Sequence, residues 1–371
     1  MAASMKLLMT ADAVGGVWSY SLELARALAP HGVEVVLATM GPPPTDAQRE
    51  EAARHRNVRL VTSECRLEWM PDAWRDVERA GEWLLRLEEV EQPTVVHLNG
   101  YAHAALPWRA PVCVVAHSCC CSWWRAVRHE PAPPSWDRYR RAVREGLDAA
   151  TLVIAPTRAM LAALIAEYGH VRNARVIYNA RPASHYPRLR KESLILSAGR
   201  MWDDAKNVSA LESVAPRLAW PVYVAGDTTM PGLGAVAPSA CCALGILEPP
   251  ALARWMGCAS IYALPARYEP FGLSILEAAL AGCALVLGNI SSLRELWRDS
   301  ALFVDPDDHD ALARTLQRLI ADDELRGAVA RRCRTRAFAF DTGTMAAAYV
   351  NAYESALRSA GTWKEVSRCA S

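Results

Sequence analysis

Lysine is nearly missing: four residues among 371, while arginine carries the basic total to 41 against 40 acidic residues. The formal net charge is +1. No bulk field draws such a chain to nucleic acid or to a membrane surface, so any anion it binds must be held by local groups. We read the scarcity of lysine as genome composition, not function. No apolar run reaches the ~18–20 residues of a membrane span. The N-terminus offers one lysine, Lys6, and a short apolar run that soon meets Asp12, which is not a convincing signal peptide. Eleven cysteines are present without a single C-x-x-C pair. Cys119, Cys120 and Cys121 are consecutive, as are Cys241 and Cys242, and adjacency rarely gives metal-ligand geometry. Cys113, Cys258 and Cys283 lie in apolar runs and read as small core residues. With no disulfide framework, a reduced, cytoplasmic setting is the expectation. Short repeats, low-complexity tracts and a G-x-G-x-x-G dinucleotide fingerprint are absent as well.

What the chain does have is β/α alternation. Its length suggests two domains, and a 52% hydrophobic share suffices for two cores. Met5–Ala11 reads as a first strand, followed by Gly15-Gly16, an amphipathic helix Trp18–Ala29 ended by His31-Gly32, and a second strand Val33–Met40. This β-α-β opening makes the sheet parallel and puts the glycines at its C-terminal edge. There they serve either as a plain tight turn or as a place where backbone approaches a ligand. Pro42–Pro44 breaks the chain. A polar helix, a strand Val58–Ser63 and a helix Ala73–Glu89 follow, and Trp74, Trp83 and Leu87 recur there at the spacing of a core stripe. Thr94–Leu98 and Pro111–Ala116 are the next strands. Each ends in a polar step, His97-Leu98-Asn99-Gly100 and His117-Ser118. A histidine at a strand end is commonly a satisfied structural residue, yet His117 falls at the same sheet edge as Gly15-Gly16.

Ser118–Trp136 is the least regular stretch. Trp123, Trp124 and Trp136 beside prolines are either a lid whose flat faces stack on an acceptor or side chains that pin a loop to the core. A weak membrane-surface contact is a third reading, although no sustained basic amphipathic helix is present. Helix Asp137–Ala149, strand Thr151–Ala155, an N-cap at Thr157 for a helix ending near Gly169, and strand Ala174–Tyr178 complete the half. The polar, proline-bearing Asn179–Lys191 reads as a linker.

The second half restarts the pattern. Strand Ser193–Ala198 runs into Gly199-Arg200, then Lys206-Asn207 and a helix. Arginine forks two oxygens and lysine supplies a point charge, so a basic pair at this mouth can reach a pyrophosphate. Asp203-Asp204 between them lacks the spacing and strand context of a D-x-D metal loop. Pro221–Ala225 ends in Gly226-Asp227, and T-T-M-P-G-L-G after it looks like a flexible loop. Strand Cys242–Leu247, helix Pro249–Gly257 and the apolar strand Ser260–Pro265 lead to Ala266–Gly282, A-R-Y-E-P-F-G-L-S-I-L-E-A-A-L-A-G. This is a tight loop and a helix Leu273–Ala281 with Gly282 as its C-cap. In open α/β sheets ligands bind at that end of the strands. The amides of Phe271, Gly272 and Leu273 stand where the helix dipole favours an anion. Glu269 lies in the loop and Glu277 one to two turns into the helix. Carboxylates accept from hydroxyls while amides take negative charge, which suits a polyol joined to a diphosphate. Strand Ala284–Gly288, the segment Ser291–Glu295, strand Ala301–Asp305 and helices Asp308–Ala321 and Asp323–Phe338 follow. A last helix, Phe340–Leu357, carries Met345, Tyr349, Tyr353 and Leu357 on one stripe.

The string E-P-F-G-L-x-x-L-E-A-x-x-A-G resembles the E-x7-E motif of retaining glycosyltransferases of the GT-B fold, in particular family 4 (glycosyltransferase group 1). G-R-x(5)-K-N resembles the diphosphate-binding pair of that family, and Gly226-Asp227 its G-D step near the nucleotide. Gly15-Gly16 looks like its G-G loop, and His117 like the histidine that touches the transferred sugar. Two departures stand out: Asn179-Ala180 where Asn-Gly is usual, and Ser291-Ser292-Leu293-Arg294-Glu295 where two glycines and Pro-Glu are common.

The resemblance implies an α/β, GT-B architecture: two Rossmann-like domains facing across a cleft. Residues 1–180, joined by a C-terminal helix 341–360, would bind the acceptor, and residues 181–340 the nucleotide-sugar. It implies a catalytic set of Glu269, His117, Arg200 and Lys206. The nucleotide-sugar, for instance a UDP-sugar, would meet Gly15, Gly16, Arg200, Lys206, Asp227, Glu269, Phe271, Gly272, Leu273 and Glu277. Trp18, Trp123 and Trp124 are acceptor candidates. The acceptor would be a small molecule or a carbohydrate, transfer would retain the anomeric configuration, and no metal or other cofactor is expected. Two rivals are a nucleotide-sugar epimerase on the same fold and a non-catalytic binding module that kept it.

Overall fold

A computed structural model describes residues 5–230, 234–235 and 239–361. The chain divides into two compact units. The first takes the residues up to Ser122, Pro131–Tyr178, and those from Thr342 onward; the second takes Trp123–Glu130 and Asn179–Asp341.

The first unit is built on seven parallel strands: β1 (Met5–Asp12), β2 (Val33–Met40), β3 (Val58–Thr62), β4 (Val95–Leu98), β5 (Val112–Val115), β6 (Leu152–Ala155) and β7 (Ala174–Val176), in the order β3-β2-β1-β4-β5-β6-β7. Its central strands are mostly apolar because helices cover both faces; β4, β5 and β6 are buried throughout, with His97 in β4 the one polar side chain among them. Its helices are α1 (Gly16–Leu28), α2 (Asp46–Ala53), α3 (Trp74–Glu91), α5 (Asp137–Ala149) and α6 (Arg158–Tyr168), while α4 (Cys120–Arg128) begins in this unit and from Trp123 on counts with the second. Side chains cap the starts of two of them. Thr45 and Gln48 form a reciprocal capping box on α2, and Thr157 accepts the Met160 amide at 3.0 Å.

The second unit repeats the design with β8 (Glu192–Ala198), β9 (Val222–Ala225), β12 (Cys242–Gly245), β13 (Ala259–Leu264), β14 (Ala284–Gly288) and β15 (Leu302–Val304), ordered β12-β9-β8-β13-β14-β15. A separate two-stranded antiparallel pair, β10 (Thr229–Met230) and β11 (Gly234–Ala235), stands apart from that sheet. The helices are α7 (Val208–Val214), α8 (Pro249–Cys258), α9 (Leu273–Leu280), α10 (Ser291–Trp297), α11 (His309–Ala321) and α12 (Asp323–Ala337). The last helix, α13 (Thr342–Ser359), belongs to the first unit, where Met345, Tyr349, Tyr353 and Leu357 are all buried as its stripe predicts.

Four expectations change. Ser118–Trp136 is not irregular throughout, because α4 occupies its first half. The triplet Cys119–Cys121 spans the start of α4; Cys119 and Cys121 are buried, and Cys119 Sγ lies 3.1 Å from the Tyr168 hydroxyl. The core stripe of α3 is Val77, Ala80, Gly81 and Leu84, whereas Trp74, Trp83 and Leu87 are half-buried. Trp74 flanks that face on one side and Trp83 and Leu87 on the other, and the smaller residues take the tight face: a Cβ on Gly81 would come within 3.3 Å of Leu106. Cys258 is half-buried at the end of α8. The T-T-M-P-G-L-G segment forms the β10–β11 pair, and its remaining part lies outside the described residues.

Candidate active site

In the second unit three neighbouring strands, β9, β8 and β13, end side by side. Each hands over to a loop that carries predicted residues. The Gly199 amide donates to the Ala225 carbonyl at 2.9 Å, and a Cβ on Gly226 would fall 2.0 Å from the Gly199 oxygen. Glycine at 226, with φ +144°, is thus what lets the loops after β8 and β9 close on each other. The Met201 amide reaches the Asp227 carbonyl at 2.9 Å, while Asp227 Oδ1 accepts the Thr229 amide at 2.8 Å.

Arg200 and Lys206 meet the acidic groups of the same edge. Arg200 Nη2 donates to Asp203 Oδ2 at 2.7 Å. Burial pushes the Asp203 carboxyl up, but the charges of Arg200 and Lys206, with hydrogen bonds from Arg200 and the Ala205 amide, outweigh it and hold the group below its usual value. Arg200 Nε is buried with no partner among the described residues. Lys206 Nζ donates to Glu269 Oε2 at 2.6 Å, with both side chains mostly buried. The lysine stem passes over Gly199, where a Cβ would come within 3.1 Å of it. Of the other described lysines, Lys6 pairs with Glu91, and Lys191 Nζ donates to the carbonyls of Met256, Ala259 and Ala281.

Glu269 introduces α9. Its carbonyl accepts the Ser292 hydroxyl at 2.5 Å, so the Ser-Ser segment that departs from the family pattern buttresses this loop. Gly272 is the N-cap in the left-handed region, φ +84°, and no side chain caps the helix. The Ile275 amide turns back to the Gly272 carbonyl at 3.1 Å, so only the amides ahead of it stand where an outside acceptor could meet them. Phe271 is buried, edge-on to Phe340 at 5.7 Å, and Leu273 is half-buried. Glu277 Oε1 accepts from Arg181 Nε at 2.7 Å, a pair with side-chain exposures of 13% and 6%. Arg181 escaped the sequence reading because it stands in the segment read as a linker, 96 positions from its partner. Trp123 and Trp124 stack edge-to-face at 5.9 Å; the Trp123 indole donates to Asp203 Oδ1 at 3.2 Å, and Arg128 pairs with Asp204 at 2.6 Å. A concavity lined by Asp305, Asp307, Asp308, His309 and Asp310 shares none of these residues.

In the first unit Gly15 (φ +103°) is the N-cap of α1, and both Gly15 and Gly16 are exposed. Trp18 is buried and its indole donates to Glu51 Oε2 at 2.9 Å. His117 is half-buried after β5, with Nε2 2.8 Å from Asn99 Oδ1 and its ring edge-on to Tyr20 at 4.4 Å. His97 Nε2 meets the same Asn99 oxygen at 3.0 Å, and its Nδ1 meets the Tyr353 hydroxyl at 2.7 Å. The sequence offered His97 and Asn99 only as a polar strand end, so their convergence on His117 is new.

Burial lowers the pKa of His97 to about 4, against the opposing hydrogen bond that the ring gives to Asn99; burial and the neighbouring His97 lower that of His117 to about 3. Both folded-state values lie below the unfolded one. The stability these rings contribute is therefore complete above about pH 6.5 and is lost as pH falls toward 3–4, at about 1.4 kcal/mol per pH unit for each ring. Urea unfolding of the first unit between about pH 7 and pH 5 should show this loss, and His97→Gln should reduce the slope by about one proton. An unchanged slope in that variant would contradict the assignment.

Two family models match the chain, Glycosyltransferase Family 4 over residues 14–184 and Glycosyl transferases group 1 over residues 192–322. Among solved structures, the sucrose-phosphate synthase from Thermosynechococcus elongatus superposes with a TM-score of 0.78 at 17% identity, covering 94% of this chain and 98% of that one. Anabaena Alr3699/HepE in complex with UDP-glucose gives 0.74 at 17% identity, covering 95% and 100%. The two parallel-sheet units are thus those of a GT-B protein. Within that class the chain belongs to the family 4, group 1 glycosyltransferases. Its curated relatives include the O-antigen chain mannosyltransferase B of Escherichia coli, 34% identical over 96 residues, or 26% of this chain and 25% of that protein. The phosphatidyl-myo-inositol mannosyltransferase of Mycolicibacterium smegmatis is 30% identical over 114 residues, or 30% of each. The matched stretches thus span less than a third of those relatives' own lengths.

Proposed function

We propose that the protein transfers a sugar from a nucleoside-diphosphate sugar to an acceptor hydroxyl, with retention at the anomeric carbon. The observation that carries this reading is the joining of Lys206 to Glu269 at 2.6 Å, beside Arg200 and the uncapped start of α9. A diphosphate there would meet two cations and a helix N-terminus, and Arg200 Nε still lacks an acceptor. As the glycosidic bond breaks, negative charge grows on the departing phosphate, and preorganised donors at that point stabilise it. Glu277 would hold the ribose hydroxyls and Glu269 the sugar, with Gly226-Asp227 near the nucleotide. The second unit is then the donor domain and the first, with Gly15-Gly16 and His117, the acceptor domain. Retention would follow from attack on the face the diphosphate leaves, a donor phosphate oxygen taking the acceptor proton, so positioning and leaving-group stabilisation carry the catalysis. Because Arg200 and Lys206 supply the charge, no divalent ion is called for. A mannosyl donor and a lipid-linked or saccharide acceptor agree with the two curated relatives, and a UDP-sugar with the HepE complex.

Thermal-shift screening against UDP, GDP and ADP tests the donor site directly. A ligand at ~100 times its Kd stabilises the native state by about 2.7 kcal/mol, so the matching nucleotide should raise the melting temperature by several degrees, with or without EDTA. No shift with any of the three at millimolar concentration, or a shift that EDTA abolishes, would count against this reading.

A further inference from the structure

In the first unit, the ends of β1, β4 and β5 bring side chains onto one amide. Asn99 Oδ1 lies 3.0 Å from His97 Nε2 and 2.8 Å from His117 Nε2. Asn99 Nδ2 lies 2.6 Å from the Thr10 carbonyl and 3.1 Å from Ser21 Oγ, and the Asn99 backbone amide donates to Thr10 Oγ1 at 2.9 Å. A main-chain carbonyl only accepts, so the side-chain atom facing Thr10 must be the nitrogen, and the atom facing both imidazoles the oxygen. The orientation of this amide follows from its partners. An amide oxygen also only accepts, so both Nε2 atoms carry a proton. His97 Nδ1 is then left to accept from the Tyr353 hydroxyl, as its 2.7 Å contact requires.

The same logic leaves His117 Nδ1 bare. It has no protein partner among the described residues and is not among the buried polar atoms that lack one, so it opens to solvent. The edge-on Tyr20 ring fixes the plane of the imidazole, and Tyr20 is itself tied to Tyr349 by a 2.5 Å hydrogen bond.

We propose that Asn99 is a positioning residue that locks His117 as the neutral Nε2–H tautomer, so that the ring presents Nδ1 as a hydrogen-bond acceptor to a substrate hydroxyl. For its substrate this rests on the function proposed above; for its tautomer it does not. A ring held this way takes a hydrogen bond from an O–H but donates none at Nδ1. It carries no positive charge toward a phosphate. Burial of the two rings works in the same direction, since it disfavours the imidazolium. His97 completes the device: its Nε2–H and the Tyr353 hydroxyl bind it at both ends, so it shares the Asn99 oxygen without competing for the proton of His117.

The test is a two-bond 1H–15N correlation spectrum of the full-length protein labelled in its histidines, with His117 assigned by difference from His117→Gln. At about pH 7 the expected result is a protonated Nε2 and a bare Nδ1 on His117. A proton on Nδ1 would overturn the proposal. Asn99→Asp sets a carboxylate against both Nε2–H groups and should make one of the two rings titrate near about pH 7. Asn99→Leu removes the acceptor and should give a mixture of tautomers, with kcat down about 10- to 100-fold and donor KM within about threefold. If Asn99→Leu keeps native near-ultraviolet circular dichroism and the pure Nε2–H tautomer, Asn99 is not what sets it and the proposal falls. Should Asn99→Leu fail to fold, the wild-type spectrum and Asn99→Asp still decide. Should no donor support sugar transfer by the wild-type protein, the spectra still decide the tautomer, and only the reading of the substrate is lost.

Discussion

Arg200→Ala should lower kcat about 10²- to 10³-fold, the loss that follows when one preorganised donor is removed from a site of developing charge. The fold should survive. Arg200 is 42% exposed, and the buried Asp203 that it pairs with keeps the Ala205 amide and the Trp123 indole as donors, so its loss should cost some stability and not the fold. Its effect belongs to the transition state, in which the diphosphate carries more negative charge than in the bound donor. The donor KM should accordingly change less than kcat. Lys206→Ala should match it in rate and exceed it in structural cost, because it strips Glu269 of its partner in a mostly buried pair. Arg200→Lys separates charge from geometry: one ammonium cannot fork two phosphate oxygens, so activity should recover only in part. Turnover measured with the donor that stabilises the wild-type protein most, beside a melting curve for each variant, checks all three. Wild-type turnover in Arg200→Ala would remove the phosphate clamp, and a collapsed fold would show that the arginine has a structural task this account lacks.

The elements that carry the donor site were legible because their signals are local. An apolar strand, a loop glycine and an alternating helix lie within one window at Ala259–Leu280, and the structure returns them within a residue or two. Thr157 as a cap and Val33–Met40 as a strand rest on equally short-range rules and appear as read. What was not legible depends on distant partners. Arg181 reads as linker until the fold sets it on Glu277. Asn99 reads as a polar strand end until Thr10, 89 positions earlier, fixes which way its amide points. The buried face of α3 differs from its sequence pattern for a related reason. Tryptophans at helical spacing suggest a core stripe, but the packed face took the small residues Ala80 and Gly81, and the indoles lie half out of it. α4 was hidden by its surroundings, since prolines follow closely and only nine residues form the helix.

Arg181→Ala should destabilise the second unit by about 3–5 kcal/mol, the cost of leaving one member of a buried ion pair without the other. The pair is enclosed on both sides, and Glu277 lies on α9, the helix that also starts the proposed phosphate site. Replacing both residues, Arg181→Met with Glu277→Met, should recover most of that loss, because a buried pair is often no more stabilising than apolar side chains of similar volume. Function should not recover with it. Glu277 gives Oε1 to Arg181, and its other oxygen is the one available to a ribose hydroxyl; the double variant has neither. Nucleotide affinity should therefore stay at least about tenfold down in a protein of nearly wild-type stability, the usual scale for a lost hydrogen bond to a charged group. Urea unfolding followed by isothermal titration with the nucleoside diphosphate resolves the two quantities. If Arg181→Ala unfolds within about 0.5 kcal/mol of wild type, the pair behaves as a surface one and this account of α9 is wrong. If the double variant is stable and binds nucleotide normally, the carboxylate of Glu277 has no part in holding the ribose, and Arg181 is there for the fold alone.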